Sequence, residues 1–582
     1  MSAVMKPQLV LTLAAALVFF TNLGLPQLWD EDEPRNAACA REMLERGDWI
    51  TPTFNYELRT QKPVLLYWLM MASYALFGVN EFAARFPSAV LAIGTTLVTF
   101  HLGRLLFSVR AGLLAGLMMA TCLMFGVAGR AATPDSCLIF FTSLALLAFV
   151  WTVSRRPCAT GQGSGFGVQG SVILPRRWFH FALIYSAMAL AVLAKGPIGV
   201  ALPIAIIGLF LLLVHREQEE TATSWTARLV LFARHFAATT WSMRPLTIVL
   251  VVAAIAGPWY VLVDVRTGGE WTRGFFGAEN LGRFQNAMEG HSGPVVYYLV
   301  AILIGFFPWS IVLPASVWFS VRAAFGRTER NPSYLLLVCW AGVWISLFSF
   351  ANTKLPSYVL PAYPAVALMA AAFVDRWLAE PACVPRWLMH TAWASLVVVG
   401  VGMAVALPLA ARQFLPGEEL MGMVGLIPLA GGVLAMVFTQ CQRPTHCVAA
   451  VTAMAILLSA SLFAGVAVHV SRHQNSASLI EIAQQQSGRD VRLATFAHPE
   501  SSVIYYARGR VERYDEPGAV AQFISDFNGH VITNDDRWDE LRPHLPPDVA
   551  VIARQPRFLK DGEVLLLGRR IRSAAVPRPP RR

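Results

Sequence analysis

Charged side chains are scarce in this chain. Only 14% of its 582 residues are Asp, Glu, Lys or Arg, whereas soluble domains carry about 25%. Hydrophobic residues make up 55%, and they form long uninterrupted runs. This composition excludes an ordinary soluble protein and predicts an all-α polytopic membrane protein.

The sequence also lacks the patterns of several other kinds of site. Its eight cysteines are scattered, and only Cys39 falls in a predicted outer segment, so no disulfide framework is predicted. The glycines of GQGSGFG, within 153–178, are not followed by the Gly-Lys-Ser/Thr of a phosphate-binding loop, which indicates a linker. The grouping of Cys441, His446 and Cys447 has no second pair of ligands, and we interpret it as coincidence.

Apolar runs long enough to cross a bilayer recur along the chain, and about thirteen transmembrane helices are predicted. The first run lacks a small-x-small cleavage site and is interpreted as an uncleaved helix. The runs lie near 7–25, 83–103, 111–128, 137–152, 179–194, 197–214, 246–263, 295–317, 334–350, 357–374, 388–410, 419–438 and 447–469.

The arginines between these runs predict the orientation, because loops on the cytoplasmic side are enriched in Lys and Arg. With the N-terminus inside, the inner loops hold most of the loop arginines, including Arg104, Arg155, Arg228, Arg327 and Arg443. The net charge of +11 is then mainly a signal of topology, and no nucleic acid is expected as a partner. The C-terminus falls outside, and a bacterial inner membrane with periplasmic outer loops is expected.

The outer segment 26–82 holds the densest polar sequence of the first third of the chain, WDEDEPRN at 29–36. Four acids precede Pro34, and both carboxylates and proline favour a helix start. A helix from about Pro34 to Arg46, ending at Gly47, is predicted. Asp32 and Arg35 would then share one face. The alternative is that the acids only cap a helix and mark a solvated loop.

The order D-E-x-R, E-x-L-x-x-G-D-W and K-P-x-L-x-Y-W in this segment resembles the first outer loop of polyprenyl-phosphate-sugar glycosyltransferases of the GT-C fold. These are the aminoarabinose transferases of lipid A and the protein O-mannosyltransferases. Further similar stretches are GVNEFAARFPS at 78–88, N-L-x-R-F with a following H-x-x-P, and K-L-P-x-Y-x-L-P at 354–361. The resemblance therefore extends over several outer segments.

The resemblance implies an integral-membrane enzyme that moves a sugar from a polyprenyl-phosphate donor to an envelope acceptor, a lipid A-type glycolipid or a protein, with inversion. It places Asp32 at the catalytic aspartate, and Glu33 and Arg35 beside it are expected to be catalytic residues as well. The residues that it implies for contact with the donor phosphate are Lys62, Arg283 and Tyr358.

Two departures from the family pattern bear on the chemistry. The usual E-K-P-P reads Gln61-Lys62-Pro63-Val64, and D-E-x-R-Y has Asn36 in place of tyrosine. Gln61 in place of the acid removes a candidate metal ligand, so a divalent metal at this place stays open but is disfavoured, and no other cofactor is expected.

Five further polar residues are expected to support the site. Arg130 and Asp135 flank one outer turn, where an ion pair and a functional role are equally open. Lys195 ends a span, as an anchor to the lipid surface or as part of the site. His291 is open to interpretation as a metal ligand, a proton carrier or a surface residue, and Lys354 belongs to the K-L-P motif.

Hydrophobicity falls after Ser471, and this change divides the chain. Residues 1–470 are predicted to form the transmembrane glycosyltransferase domain. Residues 471–576 are predicted to form a soluble periplasmic α/β domain, and 577–582 a disordered Pro- and Arg-rich tail. Strand-like segments such as 491–497, 501–507 and 550–555 alternate there with helical patterns at 478–486 and 517–527.

Two other functions remain open. A lipid-linked sugar flippase or transporter would place ionisable residues at mid-span, but such charges are scarce here and the motifs gather at one surface. An inactive assembly scaffold would tolerate alanine at Asp32. The distribution of charge favours the enzyme.

Overall fold

The computed structural model describes residues 4–29, 31–154, 174, 177–214, 225–282, 293–326, 331–488, 491–497 and 501–569. Within these ranges, nine helical segments are long and apolar enough to cross a membrane, and a tenth is a pair of helices bent by 66°. The prediction of an all-α polytopic protein is confirmed, while the count of thirteen spans stays a prediction. The nine segments are Glu81–Leu106, Asp135–Val153, Trp178–Lys195, Leu229–Ile255, Pro332–Phe350, Pro356–Ala379, Arg386–Phe414, Glu419–Gln440 and Pro444–Ser471.

Shorter helices complete the membrane-embedded part. Helix Trp225–Ser242 forms the first part of the segment Leu229–Ile255, and most of its described side chains are exposed. The other helices of this kind are Met5–Phe20, Leu65–Phe77, Ile198–Val214, Gly257–Arg266, Tyr297–Gly305 and Leu313–Ala324.

Several predicted spans are broken rather than continuous. The run at 111–128 consists of helices Val109–Thr121 and Leu123–Arg130, which meet at the extended residue Cys122. The backbone groups released there find new partners: the Leu123 N–H donates to the Phe307 carbonyl at 3.0 Å, and the Thr121 carbonyl accepts from Ser459 Oγ at 3.0 Å. A broken helix is tolerated inside a membrane protein when neighbouring segments satisfy its backbone in this way.

The segment 26–82 is more ordered than a loop. Helix Asp32–Arg46 begins two residues before the predicted start and ends as predicted at Gly47, which adopts a left-handed φ of 63°. The N–H groups of Gly47 and Asp48 donate to the carbonyls of Leu44 and Met43, which is a Schellman ending. A hairpin, Thr53–Phe54 with Glu57–Leu58, and the helix Leu65–Phe77 follow.

The C-terminal part is the predicted α/β unit. A five-stranded mixed sheet has the strand order Val511–Tyr514, Leu493–Phe496, His530–Asn534, Glu563–Arg569 and Val549–Pro556. The first three strands are parallel and the last two are antiparallel to their neighbours. Helices Ser476–Ser487 and Pro517–Phe527 match the predicted helical patterns.

The interpretation of 501–507 as a strand is wrong, because the structure forms helix Ser501–Ala507 there. Seven residues are too few to separate the two periodicities. The residues buried in this helix are Ser501, Val503, Ile504 and Tyr505. This spacing covers one helical face, and that face packs against helix Asp32–Arg46 in a shared apolar core.

Candidate active site

The acids after Trp29 lie at the start of helix Asp32–Arg46, where the helix dipole favours negative charge. Asp30 lies outside the described residues. The two acids in the first turn, Asp32 and Glu33, are adjacent in the chain but have different surroundings.

Glu33 is buried and receives four hydrogen bonds. Its Oε1 accepts from Arg85 Nε at 2.9 Å and from the Ala132 N–H at 2.8 Å. Its Oε2 accepts from Arg85 Nη2 at 2.8 Å and from the Trp29 N–H at 2.7 Å. A carboxylate has about four lone-pair positions, so these donors occupy its full capacity. Glu33 ties together the chain before the helix, the helix at 81–106 and the turn at 131–132.

Asp32 is half-buried, and no side chain in the described part of the chain donates a hydrogen bond to it. Burial alone would raise the pKa of its carboxyl. The positive charges of Lys62, Arg59, Lys195 and Arg35 outweigh that effect and hold the pKa below its ordinary value. Asp32 is therefore ionised at neutral pH and has lone pairs available to a ligand.

Arg59 is buried under the hairpin and supplies part of this positive field. Its Nη2 donates to Asn36 Oδ1 at 3.2 Å, and its Nε donates to the Tyr67 hydroxyl at 3.1 Å. The backbone carbonyl of Arg59 accepts from Trp271 Nε1 at 2.9 Å. These contacts fix the segment that leads from the hairpin to Lys62.

Arg35 shares the helix start with Asp32, as predicted, but its hydrogen bonds go elsewhere. Its Nη2 lies 2.6 Å from Glu31 Oε2, and its Nε donates to Ser501 Oγ of the C-terminal domain at 2.9 Å. Arg35 thus influences Asp32 through charge and joins the helix to the C-terminal domain through hydrogen bonds.

A cation-lined cavity of about 230 Å³ lies next to Asp32. Lys62 and Lys195 line it together with Tyr358 and one acid, Glu279, and its remaining wall is largely apolar and includes Trp344 and Phe348. Lys195 Nζ lies 2.5 Å from Asp135 Oδ1 and 5.6 Å from the centre of the Tyr358 ring. Asp135 and Glu279 offset part of the positive charge of the two lysines. Lysine ammonium groups beside an apolar wall suit an anionic head group that carries a hydrocarbon chain.

A second cavity, of about 510 Å³, opens on the other side of this ion pair. Asp32 and Asp135 line it, as do Trp29 and Arg130, and Ser357 lines both cavities. Asp32 therefore belongs to the wall of one cavity, while two of the four cations that lower its pKa, Lys62 and Lys195, line the other. This arrangement places a carboxylate between two ligand-sized spaces.

The structure gives the supporting residues specific contacts. Lys195 is largely buried and paired with Asp135, so the interpretation of Lys195 as an anchor to the lipid surface is wrong. The interpretation of Arg130 and Asp135 as an ion pair is also wrong. Arg130 instead donates to the carbonyls of Val18, Phe19 and Thr21 at the end of the first helix.

Lys354 lies in the K-L-P turn and is buried. Its Nζ donates to the carbonyls of Phe348 and Ser349, at 3.0 and 2.5 Å. These carbonyls belong to the last turn of helix Pro332–Phe350, so Lys354 caps that helix. Arg283 and His291 lie outside the described residues.

Arg59, Arg85 and Ser501 contact the site residues but are not predicted from the sequence. Arg85 stands in the stretch GVNEFAARFPS, whose similarity to the family was a signal for it, and Arg59 lies three residues before Lys62. Ser501 carried no such signal, because its contact with Arg35 joins parts of the chain that are 466 positions apart.

Among the described residues, no group of three or more His, Cys, Asp and Glu side chains is placed so that it could hold a metal ion. Gln61 lines the cation-rich cavity beside Lys62. A neutral amide between two cations attracts a metal ion less than the family's acid would. The absence of a metal stays a prediction.

Comparisons with known proteins agree on one class. A family model described as dolichyl-phosphate-mannose-protein mannosyltransferase matches residues 61–168. The undecaprenyl phosphate-alpha-4-amino-4-deoxy-L-arabinose arabinosyl transferase of Pectobacterium carotovorum is 29% identical over 73% of this chain and 69% of its own length. The protein of the same name from Edwardsiella ictaluri is 28% identical over 95% and 94%.

Solved structures share the architecture. ArnT from Cupriavidus metallidurans bound to undecaprenyl phosphate superposes with a TM-score of 0.76 at 23% identity, over 99% of this chain and 100% of that one. The apo form of the same protein gives 0.75 at 22% identity, over 97% and 98%.

The fold and these relatives together define a membrane-embedded glycosyltransferase of the GT-C fold. Within that class the chain is similar to the ArnT and protein mannosyltransferase families, and the resemblance predicted from its outer segments is confirmed.

Proposed function

We propose that the chain transfers a sugar from a polyprenyl-phosphate donor to an acceptor hydroxyl, with inversion, on the periplasmic face of the inner membrane. The observation that carries this proposal is the ionised Asp32 between a cavity lined by Lys62, Lys195 and Tyr358 and a second, larger cavity. The relatives' names indicate undecaprenyl phosphate as the lipid of the donor.

The proposed reaction forms one bond and breaks one. The acceptor oxygen attacks the anomeric carbon, the carbon–oxygen bond to the phosphate breaks, and polyprenyl phosphate leaves. Asp32 orients the acceptor hydroxyl and receives its proton. Lys62 and Lys195 stabilise the negative charge that grows on the phosphate oxygens, and the Tyr358 hydroxyl donates to one of them. Arg283 is proposed as a further contact by its place in the family motif.

Glu33 does not take part in this chemistry in the proposal, because its four hydrogen bonds leave no lone pair for a substrate. It holds the start of the helix so that Asp32 faces the cavities. Arg35 supports the charge of Asp32 without contacting it.

The acceptor is a lipid A-type glycolipid or a protein. The names of the curated relatives, which are arabinosyl transferases, favour the lipid. A flippase is disfavoured because the charged pair of the site stands at helix ends: Asp135 begins helix Asp135–Ser154, and Lys195 ends helix Trp178–Lys195. A transport path would need such charges at mid-span.

Binding of polyprenyl phosphate to the purified protein tests the donor site. Each charge-assisted contact to phosphate contributes about 1.5–3 kcal/mol, so Lys62→Ala should weaken binding about tenfold or more. Tyr358→Phe should have a smaller effect in the same direction. Lys6→Ala, which removes an exposed lysine from the first helix, is the matched control. Equal affinity in all four proteins would remove the phosphate site from the proposal.

Reporter fusions test the proposed face of the membrane. Fusions at residue 230 should report the cytoplasm, and fusions at residues 55 and 540 the periplasm. A cytoplasmic signal at 540 would contradict the proposed orientation.

A further inference from the structure

A groove of about 490 Å³ lies on a face of the membrane domain where three helices meet. These helices are Glu81–Leu106, Asp135–Ser154 and Trp178–Lys195. The groove opens outward, because one of the side chains that line it, Leu183, is 49% exposed. Its wall is mainly apolar and includes Leu105, Leu144, Leu147, Leu183 and Leu190.

The groove lies toward the end of the membrane domain opposite the active site. Helix Glu81–Leu106 carries Arg85, the partner of Glu33, near its start and Arg104, which lines the groove, near its other end. The rise of 1.5 Å per residue puts these two arginines about 28 Å apart along the helix axis. The groove shares no lining residue with the two cavities of the active site.

Exposed aromatic side chains mark the level of the lipid head groups at this end. Trp178 and Phe179 begin their helix and are 59% and 50% exposed. Arg177 precedes them, with its guanidinium carbon 5.9 Å from the centre of the Phe179 ring. Tryptophan and arginine at a helix end are typical of the boundary between membrane and water. Arg104 is at the same end, so a lipid head group at this level meets its guanidinium.

Arg104 gives the groove its positive charge. Its Nε is buried without a hydrogen-bond partner, and in the described part of the chain no acid forms an ion pair with it. No Asp or Glu is among the residues that line the groove. Asp375, the acid of the neighbouring surface, is already paired with Arg110. A partly buried guanidinium without an acceptor favours a ligand that supplies anionic oxygens.

A second polar side chain stands beside this charge. His101 lies one turn before Arg104 on the same helical face and also lines the groove. Its Nε2 is 2.7 Å from Nε2 of Gln8 on the first helix, and this contact holds the imidazole ring at the groove. The polar groups are thus gathered at one end of a long apolar surface, which is the distribution of a phospholipid.

We propose that the groove binds an anionic phospholipid, with its phosphate on Arg104 and an acyl chain along the apolar wall toward Leu144 and Leu190. Basic pockets between membrane helices bind anionic head groups in this manner. In the orientation proposed above, the lipid belongs to the cytoplasmic leaflet. The site is separate from the transfer reaction, so this inference stands or falls independently of the proposed function.

Equilibrium binding of phosphatidylglycerol and phosphatidylcholine to the full chain in detergent tests the head-group site. The unchanged protein should prefer phosphatidylglycerol, because the choline ammonium is repelled by Arg104. Arg104→Gln should weaken phosphatidylglycerol binding about tenfold or more, since it removes a charge-assisted contact, and should abolish the preference. Arg443→Gln is the matched control, at an exposed arginine before helix Pro444–Ser461 that does not line the groove.

A substitution that fills the groove tests the position of the acyl chain. Ser186 lines the groove and is half-buried, so Ser186→Phe should weaken the binding of both phospholipids. Ala205→Phe, at an exposed alanine of helix Ile198–Val214 outside the groove, should bind them as the unchanged protein does. Polyprenyl phosphate binding, measured on the same samples, should be equal in all of them.

Equal affinities for phosphatidylglycerol in Arg104→Gln, Arg443→Gln and the unchanged protein would overturn the proposal. Phosphatidylglycerol binding that Ser186→Phe leaves intact would do the same. If Ser186→Phe weakens the binding of polyprenyl phosphate and not that of phosphatidylglycerol, the groove holds the hydrocarbon chain of the donor, and the phospholipid site is wrong.

Discussion

Glu33 and Asp32 are neighbours in one helical turn, and they illustrate two uses of a carboxylate. Glu33 is 4% exposed and is held by a bidentate pair with Arg85 and by two backbone N–H groups. The Asp32 carboxylate is stabilised by nearby positive charges, two of which, Lys62 and Lys195, line an adjacent cavity. A carboxylate whose oxygens already accept four hydrogen bonds from the protein positions the chain. An ionised carboxylate that accepts none from protein side chains is available to a substrate.

The difference begins with helix geometry. Consecutive residues on a helix point about 100° apart, so the two side chains meet different neighbours, although both line the larger cavity. Arg85, on helix Glu81–Leu106, forms its ion pair with Glu33. The positions of these two acids in the chain therefore decide their roles as much as their chemistry does.

The largest expected effect on stability belongs to Glu33→Gln. The substitution leaves the buried Arg85 guanidinium without its counter-charge, and breaking a buried ion pair in this way costs about 3–5 kcal/mol. We expect a large fall in the midpoint of thermal unfolding in detergent. Glu31→Gln, at an exposed neighbour that pairs with Arg35, should change it little. Equal midpoints for both variants would contradict the anchoring role of Glu33.

A smaller loss of stability is expected from a substitution at Asn55, where the hairpin Thr53–Leu58 contacts the C-terminal sheet. The Asn55 side chain donates to the Val511 carbonyl at 2.8 Å and accepts from its N–H at 2.9 Å. Asn55→Gly removes both bonds while tolerating the positive φ of 57°, and should cost about 1–3 kcal/mol. Asn528→Gly, at an exposed helix end with φ 49°, should be nearly neutral. A neutral Asn55→Gly would show that this contact does not hold the hairpin.

The smallest expected effect is a shift in the acid limb of activity. The cations hold the pKa of Asp32 below its ordinary value, so the ionised form, and the activity that needs it, persists at pH values below about 3.9. Lys62→Ala removes one positive charge and raises that pKa. The acid limb of kcat, at saturating donor, should therefore move to higher pH, and Lys6→Ala should leave it unchanged. A limb that does not move in Lys62→Ala would show that the group titrating is not Asp32.

The sequence predicted the fold class, the sheet domain and the helix that ends at Gly47, because long apolar runs and terminating glycines are local signals. It predicted Asp32, Lys62 and Tyr358 as one site through the ordered family motifs. The structure places Lys62 and Tyr358 in one cavity, with Asp32 beside it.

The contacts of Glu33 could not be predicted in the same way. Its partner Arg85 is 52 positions away. The local sequence does not show which of two adjacent acids is fully hydrogen-bonded by the protein and which can contact a substrate. The pairing of Asp135 with Lys195 instead of Arg130 also depends on how helices pack. The helix at 501–507 is a further case, since its buried face exists only because helix Asp32–Arg46 lies against it.

The most direct test of the division between the two acids is the rate of sugar transfer by Asp32→Asn at saturating donor. The account predicts a loss of about 10²–10⁴-fold, the range for a positioned acid–base group. It also predicts an unchanged unfolding midpoint and retained binding of polyprenyl phosphate. Transfer within a few fold of the unchanged protein would contradict the assignment of Asp32 as the reacting carboxylate.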